Sequence, residues 1–295
     1  MDRRRLKDKL TGSSMRLMAL FANSVLLLIL LSLFLHSRPL LARKSLIGLL
    51  FSSAWHPMKG EFGFCPFIIG TLEVTAIAMI LSVPVCLLGA IYLSEYARTR
   101  FRAFARVVVD IMAAIPSVIY GLCGVIVVVP FVRTVGDLLQ TPTTGYSLLS
   151  GGIILGVMVS PVIISVSIEV LRSVPVEARE TALALGVTKW EAIKHVILRT
   201  ARRGIFSAVV LGFTRAFGET IAVLMVVGNV PQIPHSLFDP AYPLPALLAN
   251  NYGEMMSIPL YSAALLLSAF LLVLVVSAFN VTAHLTLIGI ERRLR

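Results

Sequence analysis

An all-α, polytopic membrane protein with six transmembrane helices is what this sequence predicts, on three observations. Hydrophobic residues make up 57% of the 295 and charged residues only 14%, with a mean hydropathy of +0.90, against about 25% charged in an average soluble domain. Six segments, 17–35, 67–93, 107–132, 151–171, 204–229 and 259–283, are long and apolar enough to cross a hydrocarbon core of about 30 Å. Lysine and arginine avoid those segments and collect between them, so the formal net charge of +11 reports membrane topology rather than a nucleic-acid surface.

The first segment follows the basic start Arg3-Arg4-Arg5. It is longer than the apolar region of a signal peptide, and His36-Ser37-Arg38 follows instead of a small-residue cleavage site, so it reads as a span. Pro84, Pro116, Gly121, Pro161 and Gly212 fall inside later segments. Neighbouring helices can re-satisfy the backbone groups that these residues free, so none is expected to divide a span. Counted over alternate loops, 20 basic residues lie on the side of the two termini, 94–106 and 172–203, and 5 on the other side. That asymmetry puts both termini and the loop 172–203 in the cytoplasm. Cys86 and Cys123 lie within apolar segments and, with Cys65, form no disulfide framework; both read as small core residues. The last outer loop, 230–258, has five prolines and no basic residue, and is expected as ordered coil or a re-entrant piece.

The loop 172–203 carries the clearest local signals. Pro175 suits the first turn of a helix, and 176–185 holds good helix formers, ended by Gly186, which can take the left-handed conformation. Thr188-Lys189-Trp190-Glu191 is a capping box that opens a second helix. Trp190, Ile193 and Ile197 form an apolar stripe along it. Two short helices with a sharp turn make a knob, suited either to a groove in another protein or to packing on the membrane surface.

Arg215 lies in the middle of 204–229, with Glu219 four residues on. A guanidinium in hydrocarbon costs about 2.5 kcal/mol to well above 10, so it is kept only in a polar interior with a partner. At i, i+4 Arg215 and Glu219 lie on one helix face and can pair. The pair then marks a route for a charged solute, or only locks two helices. Of the other intramembrane acids, Asp110 and Glu169 have Arg106 and Arg172 in pairing register. Glu73 has no basic residue nearby; it is protonated or reaches another helix. No Gly-x-x-x-x-Gly-Lys loop, His-Glu-x-x-His or Gly-x-Ser-x-Gly occurs, and the five histidines are scattered. No catalytic or metal-binding constellation is expected.

Glu180-Thr181-Ala182-Leu183-Ala184-Leu185-Gly186, then nine residues, then Val196-Ile197-Leu198, resembles the Glu-Ala-Ala loop of bacterial ABC importer permeases. Thr181 and Val196 are substitutions in that pattern, and Arg199 stands where those permeases usually have proline. Ala114-Ile115-Pro116-Ser117-Val118-Ile119-Tyr120-Gly121, Leu171-Arg172-Ser173-Val174-Pro175, Arg215-Ala216-Phe217-Gly218-Glu219-Thr220 and Ser236-Leu237-Phe238-Asp239-Pro240 are similar to the PstC family of phosphate permeases. The resemblance spans approximately 62–284. It implies a type I importer permease fold over 61–285. Residues 1–60 then hold the N-terminal tail, first span and outer loop, and 286–295 a basic tail.

The resemblance further implies a channel-forming subunit of an ATP-driven phosphate importer, not itself an enzyme, in a bacterial inner membrane. Glu180, Ala182, Gly186, Val196 and Leu198 would couple to an ATPase, and Arg215 and Glu219 would line the path. The implied partners are a paralogous PstA-like permease, a PstB-like ATPase dimer that binds ATP and magnesium, and a PstS-like phosphate-binding protein. This chain would hold no cofactor. A permease for phosphonate or sulfate, an ion-coupled secondary transporter, or a membrane assembly factor are the alternatives.

Overall fold

A computed structural model describes residues 2–292, with the side chains of 11–283, 285 and 286; side chains of the basic ends fall outside the described residues. The chain is helical from α1 (Asp2–Leu41) onward. A short α2 (Leu46–Phe51) and a two-stranded hairpin, β1 (Trp55–His56) with β2 (Glu61–Phe62), lead to α3 (Cys65–Ile91). Its apolar run of 27 residues opens with Pro66 in the first turn, where the missing N–H costs nothing. A π-helical turn, Tyr92–Tyr96, ends it.

The segment expected as one span over 107–132 is divided. Helix α4 (Thr99–Ala114) stops at Ile115, which is extended (φ −66°, ψ 127°), and α5 (Ser117–Cys123) starts after Pro116. A residue before proline is pushed out of the helical region by the ring, and no neighbour overrides that here. Helix α6 (Val129–Leu138) completes an apolar stretch over Ser117–Leu138. Cys123 is exposed on α5 rather than buried in the core, whereas Cys86 is buried.

The centre of the bundle is α3 against α7 (Leu148–Arg172), with α10 (Leu198–Phe217) across α7. Small residues bring these helices together, as close helix packing in membranes requires. A Cβ at Gly152 would lie 2.3 Å from Ile77 Cγ2, and one at Gly212 2.5 Å from Ile163 Cγ1. Helix α13 (Pro259–Arg292) packs on α12 (Leu244–Met255), on α10 and on α1. Phe213 stacks on Phe279 at 3.6 Å between α10 and α13, and Thr214 Oγ1 donates to Asn280 Oδ1 at 2.8 Å. Helix α1 is exposed along nearly its whole apolar length, as expected of a helix bathed in lipid or covered by another subunit.

Among the described residues, five helical stretches are long and apolar enough to cross a membrane: Thr11–Leu41, Cys65–Tyr96, Ser117–Leu138, Leu148–Arg172 and Pro259–Ala283. The sixth expected span, 204–229, is not one helix. It ends at Phe217 and resumes as the single turn α11 (Ile221–Leu224). Glycine is a poor helix interior residue, by about 1 kcal/mol, and the chain leaves the helix at Gly218, where the Glu219 N–H turns back to the Ala216 carbonyl at 3.2 Å.

Candidate functional site

The knob forms from the local signals that predicted it. Helix α8 (Val176–Ala184) starts after Pro175 and is stopped by Gly186 at φ +81°. The next helix, α9 (Lys189–Ala192), carries a complete capping box. Glu191 Oε2 accepts from the Thr188 N–H at 2.8 Å and the Thr188 hydroxyl at 2.7 Å, and these bonds hold its carboxyl below the usual carboxylate range.

The apolar stripe serves differently from the expectation. Ile193 and Ile197 are buried against Ala90, Leu171, Val174 and Ala201, so they fasten the knob to the bundle. Trp190 remains half exposed, and Leu183 and Leu185 on the same knob are exposed too. A cavity of about 300 Å³ is lined by Ala182, Leu185, Val187, Glu191, His195 and Val196. Of the five predicted coupling residues, Ala182 and Val196 line it, Gly186 makes its turn and Glu180 is exposed on the knob. Leu198 instead packs inward against the Ile193–Ile197 cluster.

From α9 the helix does not end. A π-helical turn, Ile193–Ile197, carries it into α10, so residues 189–217 form one rod of about 43 Å. Arg215 sits half-buried in its last turn, where unsatisfied carbonyls favour a cation. On α5 the Tyr120 hydroxyl donates to the Met112 carbonyl at 2.7 Å across the Pro116 break. Gly121 allows α5 to approach α11 so closely that a Cβ would lie 2.5 Å from the Met225 sulfur. Two interrupted helices therefore meet at this point, and irregular backbone at membrane depth is tolerated only where protein buries it or a polar cavity wets it.

Arg215 and Glu219 are not paired, contrary to expectation: among the described residues the one ion pair is Arg179–Glu95. The i, i+4 relation fails because the helix stops between them. Glu219 Oε1 accepts from the Ala222 N–H at 3.4 Å instead, and its side chain lines a void of about 10 Å³ with Thr75 and Pro243.

The other acids also depart from their predicted partners. Asp110 and Glu169 form no ion pair with Arg106 and Arg172; all four border one cavity of about 280 Å³ between α4 and α7. They are exposed there, and exposed pairs gain little over solvation. Among the described residues Glu73 gains no hydrogen-bond partner for its buried Oε2; it borders a cavity of about 270 Å³ that His235 of the 230–258 loop also lines.

That loop is coil through Pro243 and then the helix α12. Asp239 Oδ2 accepts from the N–H groups of His235 and Ser236 at 2.9 and 3.0 Å. The carbonyls of Leu237 and Asp239 accept from the N–H groups of Leu149 and Leu148, each at 2.9 Å. Four N–H groups at a helix start lack internal partners, so Ser236–Pro240 acts as a latch on the start of α7. Sequence reading gave no individual role to Tyr120, Asp239, Glu95 or Arg179. For Glu95 and Arg179, 84 residues apart, no local spacing links the partners.

The sequence pattern of the binding-protein-dependent transport system inner membrane component family matches residues 86–286. The chain is 36% identical over 262 residues to the phosphate transport system permease protein PstC of Xylella fastidiosa (strain 9a5c), covering 84% of this chain and 80% of the relative. It is 33% identical over 285 residues to the probable phosphate transport system permease protein PstC of Methanocaldococcus jannaschii, covering 89% of each. Its fold is similar to a chain of the MetNI methionine ABC transporter in an inward-facing conformation, with a TM-score of 0.59 and 19% identity over 75% of this chain and 92% of that one. This chain, a multi-pass membrane protein, belongs to the binding-protein-dependent transport system inner membrane component family.

Proposed function

We propose that this chain is the channel-forming subunit of an ATP-driven importer of inorganic phosphate. The observation that carries the reading is similarity over 84–89% of the chain, at 33–36% identity, to relatives named as phosphate transport system permease proteins. The site chemistry is consistent with it. Arg215, without an acidic partner among the described residues, presents a planar, permanently charged fork that suits a tetrahedral oxyanion. A carboxylate locked onto it would compete with the anion, and Glu219 bonds elsewhere.

The knob, at the far end of the rod that bears Arg215, is the surface for an ATPase. A second permease would close the other side of the path, and a binding protein would deliver phosphate from outside. ATP and magnesium belong to the ATPase; this chain holds neither. The test is reconstitution of the four components in liposomes. Labelled phosphate should enter only with ATP and binding protein, and sulfate and phosphonate should compete poorly. Uptake driven by an ion gradient without ATP would replace this reading with a secondary transporter.

Orientation follows the same proposal: the knob and both termini face the cytoplasm of an inner-membrane protein, as the 20-to-5 distribution of basic residues implies. A reporter inserted at 187–189 should be active only in a form that works in the cytoplasm. Activity of a periplasmic reporter there would reverse the topology.

A further inference from the structure

The turn that ends α3 is tied to the knob by a compact set of bonds that the transport reading has not used. Arg179 of α8 donates through Nη1 to both carboxylate oxygens of Glu95, at 2.6 and 2.7 Å. Its Nη2 donates to the Leu171 carbonyl in the last turn of α7. Lys189 of α9 donates to the Glu95 carbonyl and stands 4.6 Å over the Tyr96 ring. The Glu95 side chain is only 7% exposed and that of Arg179 22%. From the other side, Arg102 of α4 donates to the Leu93, Ser94 and Ala97 carbonyls at 2.8, 2.9 and 3.2 Å.

A buried ion pair contributes little net stability, because desolvation offsets its attraction. What it does fix is geometry. One guanidinium here joins three elements, the ends of α3 and α7 and the first knob helix, while the second knob helix is already continuous with α10. We propose that the Glu95–Arg179 pair is the joint that carries movement of the knob into α3 and α7, making both positioning residues for transport. The first knob helix then cannot shift without shifting the centre of the bundle. Without the pair, the first knob helix keeps only its three-residue link to α7, and α3 follows the knob only through the contacts of the second knob helix. This inference rests on the ATPase-docking reading of the knob.

The test uses the complete reconstituted transporter with Glu95→Ala, Arg179→Ala and the double variant. Each single variant should keep ATPase co-purification within about twofold, lose about tenfold or more of phosphate uptake, and continue to hydrolyse ATP. The ATP spent per phosphate therefore rises. The double variant should be no worse than the worse single one, since the two side chains act as one unit. Parallel loss of ATPase retention and uptake would reduce the pair to a structural support, and a wild-type coupling ratio would remove it altogether. A second measurement reads the joint without the ATPase. Spin labels at exposed Leu88 and Val176 should give a narrow distance distribution in the wild type and a broad one in Glu95→Ala. A distribution that stays narrow overturns the joint; wild-type transporter that neither retains ATPase nor imports phosphate overturns the functional reading instead.

Discussion

Arg215→Gln should leave the transporter assembled in the membrane and abolish phosphate uptake. Glutamine keeps hydrogen-bonding capacity but deletes the charge at the point where two interrupted helices meet. Hydrogen bonds to a charged group are worth about 1.5–3 kcal/mol, so uptake normalised to inserted complex should fall on the order of 10- to 100-fold. Arg215→Lys should be intermediate, because it retains the cation and loses the fork. Glu219→Gln should be mild, within about threefold of wild type on the same scale, since the amide oxygen can still accept from the Ala222 N–H. Exchanging the two residues (Arg215→Glu with Glu219→Arg) separates the readings. The structure holds no Arg215–Glu219 ion pair for the exchange to preserve, so the exchanged protein should assemble and stay inactive. Near-normal uptake in Arg215→Gln, or recovery in the exchange, would remove Arg215 from the path.

Gly186→Val is expected to separate the permease from its ATPase. At φ +81° the residue lies in the left-handed region, and a Cβ there would meet nothing within 4 Å. The cost is therefore conformational, roughly 1–2 kcal/mol or more for a β-branched side chain. If the turn re-forms with helical φ, α8 and α9 diverge and the cavity between Ala182 and Val196 changes shape. ATPase co-purification and uptake should fall together, by a factor on the order of 5–30, with membrane insertion unchanged. Gly186→Asn should be close to wild type, because asparagine tolerates this conformation. Full ATPase retention in Gly186→Val would move the docking surface elsewhere.

What the chain determines locally was legible in its sequence. The apolar runs, the turn at Gly186 and the capping box at Thr188–Glu191 depend on residues within a few positions of one another. Hydropathy and short-range hydrogen bonding act at that range whatever surrounds them. The existence of the knob, the membrane class and the family resemblance follow from these.

Tertiary structure decided the rest, because it depends on neighbours that spacing does not encode. Pro116 could have sat within a continuous membrane helix; here no neighbour holds Ile115 helical, and α5 starts afresh, packed on α11. The stop at Gly218 parted Arg215 from Glu219, whose carboxylate accepts from the Ala222 N–H instead. Ile193 and Ile197 look like a docking stripe in sequence, yet α3 and α7 supply the surface that buries them. Glu95 and Arg179 stand 84 residues apart, and only the folding of α8 back under the end of α3 gives the carboxylate its partner. A buried charge is satisfied by whatever group the fold brings within reach, and that is settled by the packing of helices distant in the chain.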